Sequence, residues 1–142
     1  MQKIKRIQLN INQNNESVIL GIVSAEPDYK LSLALNKKFR ISLKSISPVT
    51  LHDNNSELTF SRFSDTTGSP DLIYDLISNR TGKNFLLKKL KNIDYIFQIF
   101  DPGNDTDINN IIYALREIDC ITAVFNIDSK AIKDKHLQYL TH

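Results

Sequence analysis

Residues 93–100, Ile93-Asp94-Tyr95-Ile96-Phe97-Gln98-Ile99-Phe100, form the most hydrophobic and aromatic run of the chain. Asp101-Pro102-Gly103 closes it. An apolar run of this length, ended by turn residues, reads as a strand buried on both faces. Such a strand needs cover on each side, so it belongs in the interior of a sheet. Asp94 and Tyr95 then stand at its entrance, where a carboxylate and a phenol beside the core need hydrogen-bond partners.

The chain beyond this strand supports the same frame. Asp105 or Thr106 is positioned to cap a helix across 105–118 in which Ile108, Ile111, Ile112, Leu115 and Ile118 form one apolar stripe. Residues 121–127 read as the next strand, giving a βαβ unit whose strands are either adjacent or separated by a third. Ser129 can cap a short terminal helix with Ile132, Leu137 and Leu140 inward.

The first two-thirds alternates strands and turns around one helix. Residues 3–11 place Ile7, Leu9 and Ile11 on one face of a strand, while the apolar run 17–24 fits either a strand or an irregular packed segment. Ser24 or Asp28 can cap a helix running to about Lys38, with Leu31, Ala34 and Leu35 inward and Lys37 and Lys38 at its C-terminal end. Residues 39–51 read as extended, with Pro48 marking an edge strand or a bulge. Asp53-Asn54-Asn55-Ser56 is a turn, residues 57–63 the returning strand, and residues 65–70 a second turn around Gly68 and Pro70. Residues 72–78 fit helix or strand; the adjoining Thr81-Gly82 turn favours a hairpin. The expected architecture is a single α+β domain over 1–142: a mixed, mostly antiparallel sheet, two main helices, a C-terminal βαβ unit and a short terminal helix.

Composition narrows the function classes. At 142 residues the chain can bury a core without disulfides or metal, and its 41% hydrophobic and 24% charged residues suit a folded soluble protein. A formal net charge of +2 supplies no global field toward nucleic acid or membrane. The lone Cys120 forms no internal disulfide, and no apolar stretch reaches the roughly 20 residues of a membrane span or resembles a signal peptide. The chain reads as cytoplasmic.

Residues 87–95, Leu87-Lys88-Lys89-Leu90-Lys91-Asn92-Ile93-Asp94-Tyr95, resemble the signature of the IPExxxVDY family, small bacterial proteins typical of the Bacteroidetes with no assigned activity. Leu87 stands at the isoleucine, Ile93 at the valine, and Asp94 and Tyr95 match outright; Lys88 and Lys89 replace the proline and glutamate. Gly21-Ile22, Asp28-Tyr29-Lys30-Leu31, Leu35-Asn36 and Ser78-Asn79-Arg80 look similar to other parts of the family pattern. The resemblance implies a cytoplasmic bacterial protein without a cofactor.

Each candidate site has a structural account beside a functional one. Asp94 and Tyr95 could form a ligand-binding entrance, or Asp94 could order the Lys91-Asn92 turn while Tyr95 packs inward. The same choice applies to Asp28-Tyr29. The loop 101–105 lacks phosphate-binding glycine spacing, and its acids would repel an anion. His52, His136 and His142 lack metal-ligand spacing and read as residues of a turn, a surface helix and the terminus. Cys120 reads as a small apolar residue opening a strand. No catalytic constellation is present in the sequence, which points away from an enzyme.

Basic clusters occur at Lys37-Lys38-Arg40, Lys88-Lys89-Lys91 and Lys130-Lys133-Lys135. Gathered on one face they could track an RNA backbone; apart, they are solvated turns and helix ends. The leading expectation is a non-catalytic module that binds a protein partner or a second copy of itself. RNA binding through the lysines is one alternative. A small-ligand sensor similar in architecture to ACT-type, ferredoxin-like domains is the other.

Overall fold

A computed structural model describes residues 17–53, 55–69, 72–101 and 107–127. The described elements are β1 (Ser17–Val23), α1 (Asp28–Phe39), β2 (Lys44–Asp53), β3 (Ser56–Ser69), β4 (Leu72–Ser78), β5 (Arg80–Thr81), β6 (Asn84–Phe85), β7 (Tyr95–Phe100), α2 (Ile108–Arg116) and β8 (Ala123–Ile127). Six strands form one sheet in the order β2-β3-β4-β7-β1-β8, and every neighbouring pair is antiparallel. Strands β5 and β6 make a separate two-stranded ladder. This is an α+β fold.

The apolar run becomes the interior strand β7, flanked by β4 and β1. Strand β1 is antiparallel to both β7 and β8, so β7 and β8 run parallel with β1 between them. The βαβ unit therefore exists in its split form. The 17–24 run resolves as a strand because it fills that gap.

Both faces of β7 are covered. On one face Tyr95, Phe97 and Ile99 pack with Leu20, Ile22 and Leu76 beneath Leu31 and Leu35 of α1 and Leu115 of α2. Burying each such side chain contributes roughly 1.5–3 kcal/mol. Phe97 is fully buried, with the rings of Phe39 and Tyr74 centred 6.1 and 5.9 Å away. On the other face Ile96 joins Ile19, Ile77 and Ile127. Val49, Leu51 and Phe60 from β2 and β3, and Leu86 and Leu87 after β6, belong to that second cluster.

Gly21 sits on β1 in this second layer. A Cβ there would lie 2.7 Å from Ile93 Cδ1 and 3.0 Å from Ile127 Cδ1, so glycine gives those side chains their room.

Several local expectations change. The N-cap of α1 is Pro27 rather than Ser24 or Asp28; Asp28 is the first helical residue, where its charge suits the dipole. Helix α1 ends at Phe39, and Arg40 takes a left-handed conformation (φ 55°), so the extended stretch begins at Lys44 rather than residue 39. Asn36 fixes this connection: its Oδ1 accepts from the Leu43 N–H at 2.7 Å and its Nδ2 donates to the Leu43 carbonyl at 3.3 Å. Pro48 does mark a break, since the β2–β3 register shifts between Ile46 and Val49 on an edge strand.

The second turn predicted over 65–70 is instead strand as far as Ser69, with irregular pairing between Asp65 and Ser69. Gly68 thus falls in an irregular strand rather than a turn. Asp65 is buried and accepts the Ser42 N–H at 2.7 Å. Residues 72–78 form a full strand, but it pairs with β3 and β7 rather than folding back through Thr81-Gly82 on residues 85–87; the only pairing across Gly82 (φ 59°) among the described residues is the short β5–β6 ladder. His52 lies in β2, paired with Glu57, not in a turn. Asp107 caps α2, its Oδ1 accepting from Asn109 and Asn110, in place of Asp105 or Thr106. Cys120 precedes β8 instead of opening it and is half-buried. The expected strand over 3–11 and terminal helix after Ser129 lie outside the described residues.

Phe97→Ala or Ile99→Ala should cost about 2–5 kcal/mol in chemical denaturation, because each opens a cavity under the helices. Gly21→Ala should cost about 1–3 kcal/mol by overpacking against Ile93 and Ile127. Midpoints equal to wild type in urea titrations would contradict this placement of the two layers.

Candidate functional site

The entrance of β7 is built by the polypeptide that leaves β4. Asn79 is fully buried there, and burial obliges its polar groups to find partners. Its Nδ2 donates to the carbonyls of Leu90 and Ile93, both at 2.9 Å, and its Oδ1 accepts the Leu87 N–H at 2.8 Å. Its backbone N–H donates to the Asp94 carbonyl at 2.9 Å, and its carbonyl accepts the Leu86 N–H at 2.8 Å. One side chain thus moulds the whole 86–93 segment. Leu86, Leu87 and Ile93 turn inward, while Lys88, Lys89 and Lys91 are exposed.

Asp94 joins three parts of the chain. Its backbone N–H donates to the Ile22 carbonyl at 2.9 Å, and its Oδ2 accepts the Ser24 N–H at 2.9 Å. Its Oδ1 pairs with the Arg80 guanidinium, which also lies 5.5 Å from the centre of the Phe85 ring. Asp94 therefore does not order the Lys91-Asn92 turn; it ties β7 to the exit of β1 and to β5. Ser24 continues the network, its Oγ donating to the Cys120 carbonyl at 2.7 Å and accepting the Glu26 N–H at 3.2 Å.

Tyr95 packs inward as the structural account expects, and its hydroxyl donates to the Glu26 carbonyl at 2.6 Å. Burial, followed by the negative charges of Asp28 and Asp94, pushes its pKa up to about 12, with Arg80 opposing. A phenol held so firmly in its protonated form is a poor general base or nucleophile near neutral pH.

Beside this network is an open groove of about 430 Å³ on the sheet, next to the start of α1. Asp28, Ser45, Ile46, Pro48, Thr59, Ser61, Arg62, Ser78, Arg80 and Thr81 line it. Ser78 pairs with Tyr95 across β4 and β7, so the groove begins next to the Asp94–Tyr95 entrance and reaches toward the β2 edge. Of the residues weighed in the sequence as candidate sites, only Asp28 contributes to its lining; Pro48, Ser78, Arg80 and Thr81 enter that reading for other reasons. The arginines are already engaged: Arg80 with Asp94, and Arg62 with the buried Asp75 at 3.1 Å.

The two lysine clusters among the described residues are not gathered. Lys37, Lys38 and Arg40 stand at the C-terminal end of α1, whereas Asp94 binds Ser24 just before its start. A 12-residue helix spans roughly 18 Å, which separates that cluster from Lys88, Lys89 and Lys91 beyond the β7 entrance. Lys38 also pairs with Glu117 at 2.9 Å. The cluster at Lys130-Lys133-Lys135 lies outside the described residues. Among the described residues no group of three or more His, Cys, Asp or Glu side chains could hold a metal ion, and no helix is long and apolar enough to cross a membrane.

Sequence reasoning named Ser24 only as a helix cap, and Asn79 and Arg80 only as part of a pattern. Their roles depend on partners far along the chain, as in the 70-residue separation of Ser24 and Asp94. Comparison of the chain with known protein families and with curated proteins finds no match.

Asn79→Ala should destabilise the protein by more than about 2 kcal/mol, since it strands two buried carbonyls and an N–H. Tyr95→Phe gives a pH test with a definite sign. A phenol titrating near 12 when folded and near 10 when unfolded stabilises fully below pH 10, and that contribution is lost as pH rises toward 12. By pH 11 the loss should reach about 1.4 kcal/mol in wild type. In Tyr95→Phe it should be absent, and denaturation curves of both proteins at pH 9, 10 and 11 measure the difference.

Proposed function

We propose that this chain is a non-catalytic interaction module that binds a protein partner. The observation that carries the reading is the contrast at the β7 entrance. The carboxylate and phenol best suited to chemistry are spent on internal bonds, both Asp94 oxygens and the Tyr95 hydroxyl included. The neighbouring groove leaves hydroxyls, a carboxylate and exposed apolar atoms open to a partner. Recognition without turnover needs only such a surface on a rigid support.

The same proposal assigns the chain to the IPExxxVDY family, as a cytoplasmic bacterial protein. Its support is that each matched signature residue has a defined part in the fold. Leu87 and Ile93 are buried, Asp94 ties three segments together, and Tyr95 closes the core under Glu26.

Affinity purification of the tagged full chain from its native host, followed by mass spectrometry and gel filtration, tests the reading. The expected result is one protein enriched reproducibly, or a mass above that of the monomer. A strict monomer with no co-purifying protein would overturn it. Nuclease-sensitive, salt-sensitive recovery of RNA in place of protein would favour nucleic-acid binding.

A further inference from the structure

We infer that the groove beside α1 takes a short extended peptide segment of a partner protein, with a lysine or arginine of that segment facing Asp28. This rests on the interaction reading and names the partner's chemistry.

The charges of the groove decide against an anionic ligand. Arg80 pairs with Asp94 and Arg62 with Asp75, so each guanidinium already has a carboxylate counter-charge, and the Arg62 Nε–H, left without an acceptor, is buried away from a ligand. Asp28 differs. Its Oδ1 accepts the N–H of Tyr29 at 2.7 Å, but among the described residues no lysine or arginine pairs with it. The charge of the groove lining that has no ion-pair partner among the described residues is negative, and only the N-terminus of α1 offsets it.

The lining also lacks any aromatic residue. Nucleic-acid bases and sugar rings are usually held by stacking on an aromatic platform, and none is offered here. What the groove does offer is the hydroxyls of Ser45, Thr59, Ser61 and Thr81, a group that can both donate and accept, while the Ser78 hydroxyl already donates to the Arg80 carbonyl. That pattern suits the alternating N–H and C=O groups of an extended main chain. Neighbouring strands are about 4.8 Å apart, so a path over three of them is roughly 10 Å, the reach of about three extended residues. Ile46, 40% exposed beside the bulge at Pro48, provides an apolar contact at the edge-strand end.

The test uses the immobilised full chain as bait for random dodecapeptides displayed on phage. Selected peptides should carry Lys or Arg several-fold more often than the starting library. Asp28→Lys should weaken a selected synthetic peptide at least tenfold by calorimetry. Ile46→Lys, at an exposed position, should do the same without changing the melting temperature, which separates lost binding from lost folding. Selection without basic enrichment, or unchanged affinity in both variants, overturns the inference. If the protein recovered from the host binds both variants as tightly as wild type, the interaction reading stands and the groove assignment falls. Failure of wild type to enrich any peptide or any host protein removes both.

Discussion

Burial of β7 on both faces is the constraint on which the rest of the structure depends. An interior strand with Ile96, Phe97 and Ile99 all out of water needs two separate covers. The helices α1 and α2 provide one. The other includes Val49, Leu51 and Phe60 from β2 and β3 and the 86–93 segment. That segment is irregular, so its backbone groups cannot satisfy one another as a ladder does. Asn79 supplies the missing partners, and it stands where β4 hands the chain to β5. Without that amide, covering the second face would strand buried carbonyls at a cost comparable to what burying Leu86 or Leu87 contributes.

Much of this architecture was legible because it depends on local periodicity. The continuous apolar run at 93–100 marked the interior strand, and the stripe at Ile108, Ile111, Ile112 and Leu115 marked α2. Where the reading failed, tertiary pairing outweighed a local signal. Residues 65–69 contain turn-forming residues yet continue β3, whose irregular pairing with β4 resumes at Ser69 and Leu72. The 17–24 run could not be decided from its own residues, because what makes it a strand is the space between β7 and β8. Pro27 displaced Ser24 as the helix cap because Ser24 is spent elsewhere, on Cys120 and Glu26.

The candidate site was legible only in part, for the same physical reason. Asp94 and Tyr95 stood out as polar residues at the mouth of an apolar run, and burial there does force them to find partners. Which partners they find is set by residues distant in sequence: Ser24, Glu26 and Arg80. Arg80 had no local mark, and Asn79 was one asparagine in an asparagine-rich chain. The lysines carried a clear local mark, yet the two clusters among the described residues, at 37–40 and 88–91, were not brought together, since a charge cluster does not say where the fold will put it.

Polar residues at the mouth of an apolar strand invite a reading as an active site, and the β7 entrance shows how such residues can instead be a support. Asp94 accepts from two segments, so replacing it would loosen β1, β5 and β7 together, and any activity of a neighbouring surface would be lost with them. Positions that hold the fold and positions that touch a partner can then give the same loss-of-function result. The two separate by stability. Replacing Asp94 or Asn79 should loosen the fold itself, whereas Asp28 and Ile46 border the groove at the surface and can change while the two-layered core stays intact. On this argument Ser45, Ile46 and Pro48, which line the groove from an edge strand, can be changed without disturbing β7.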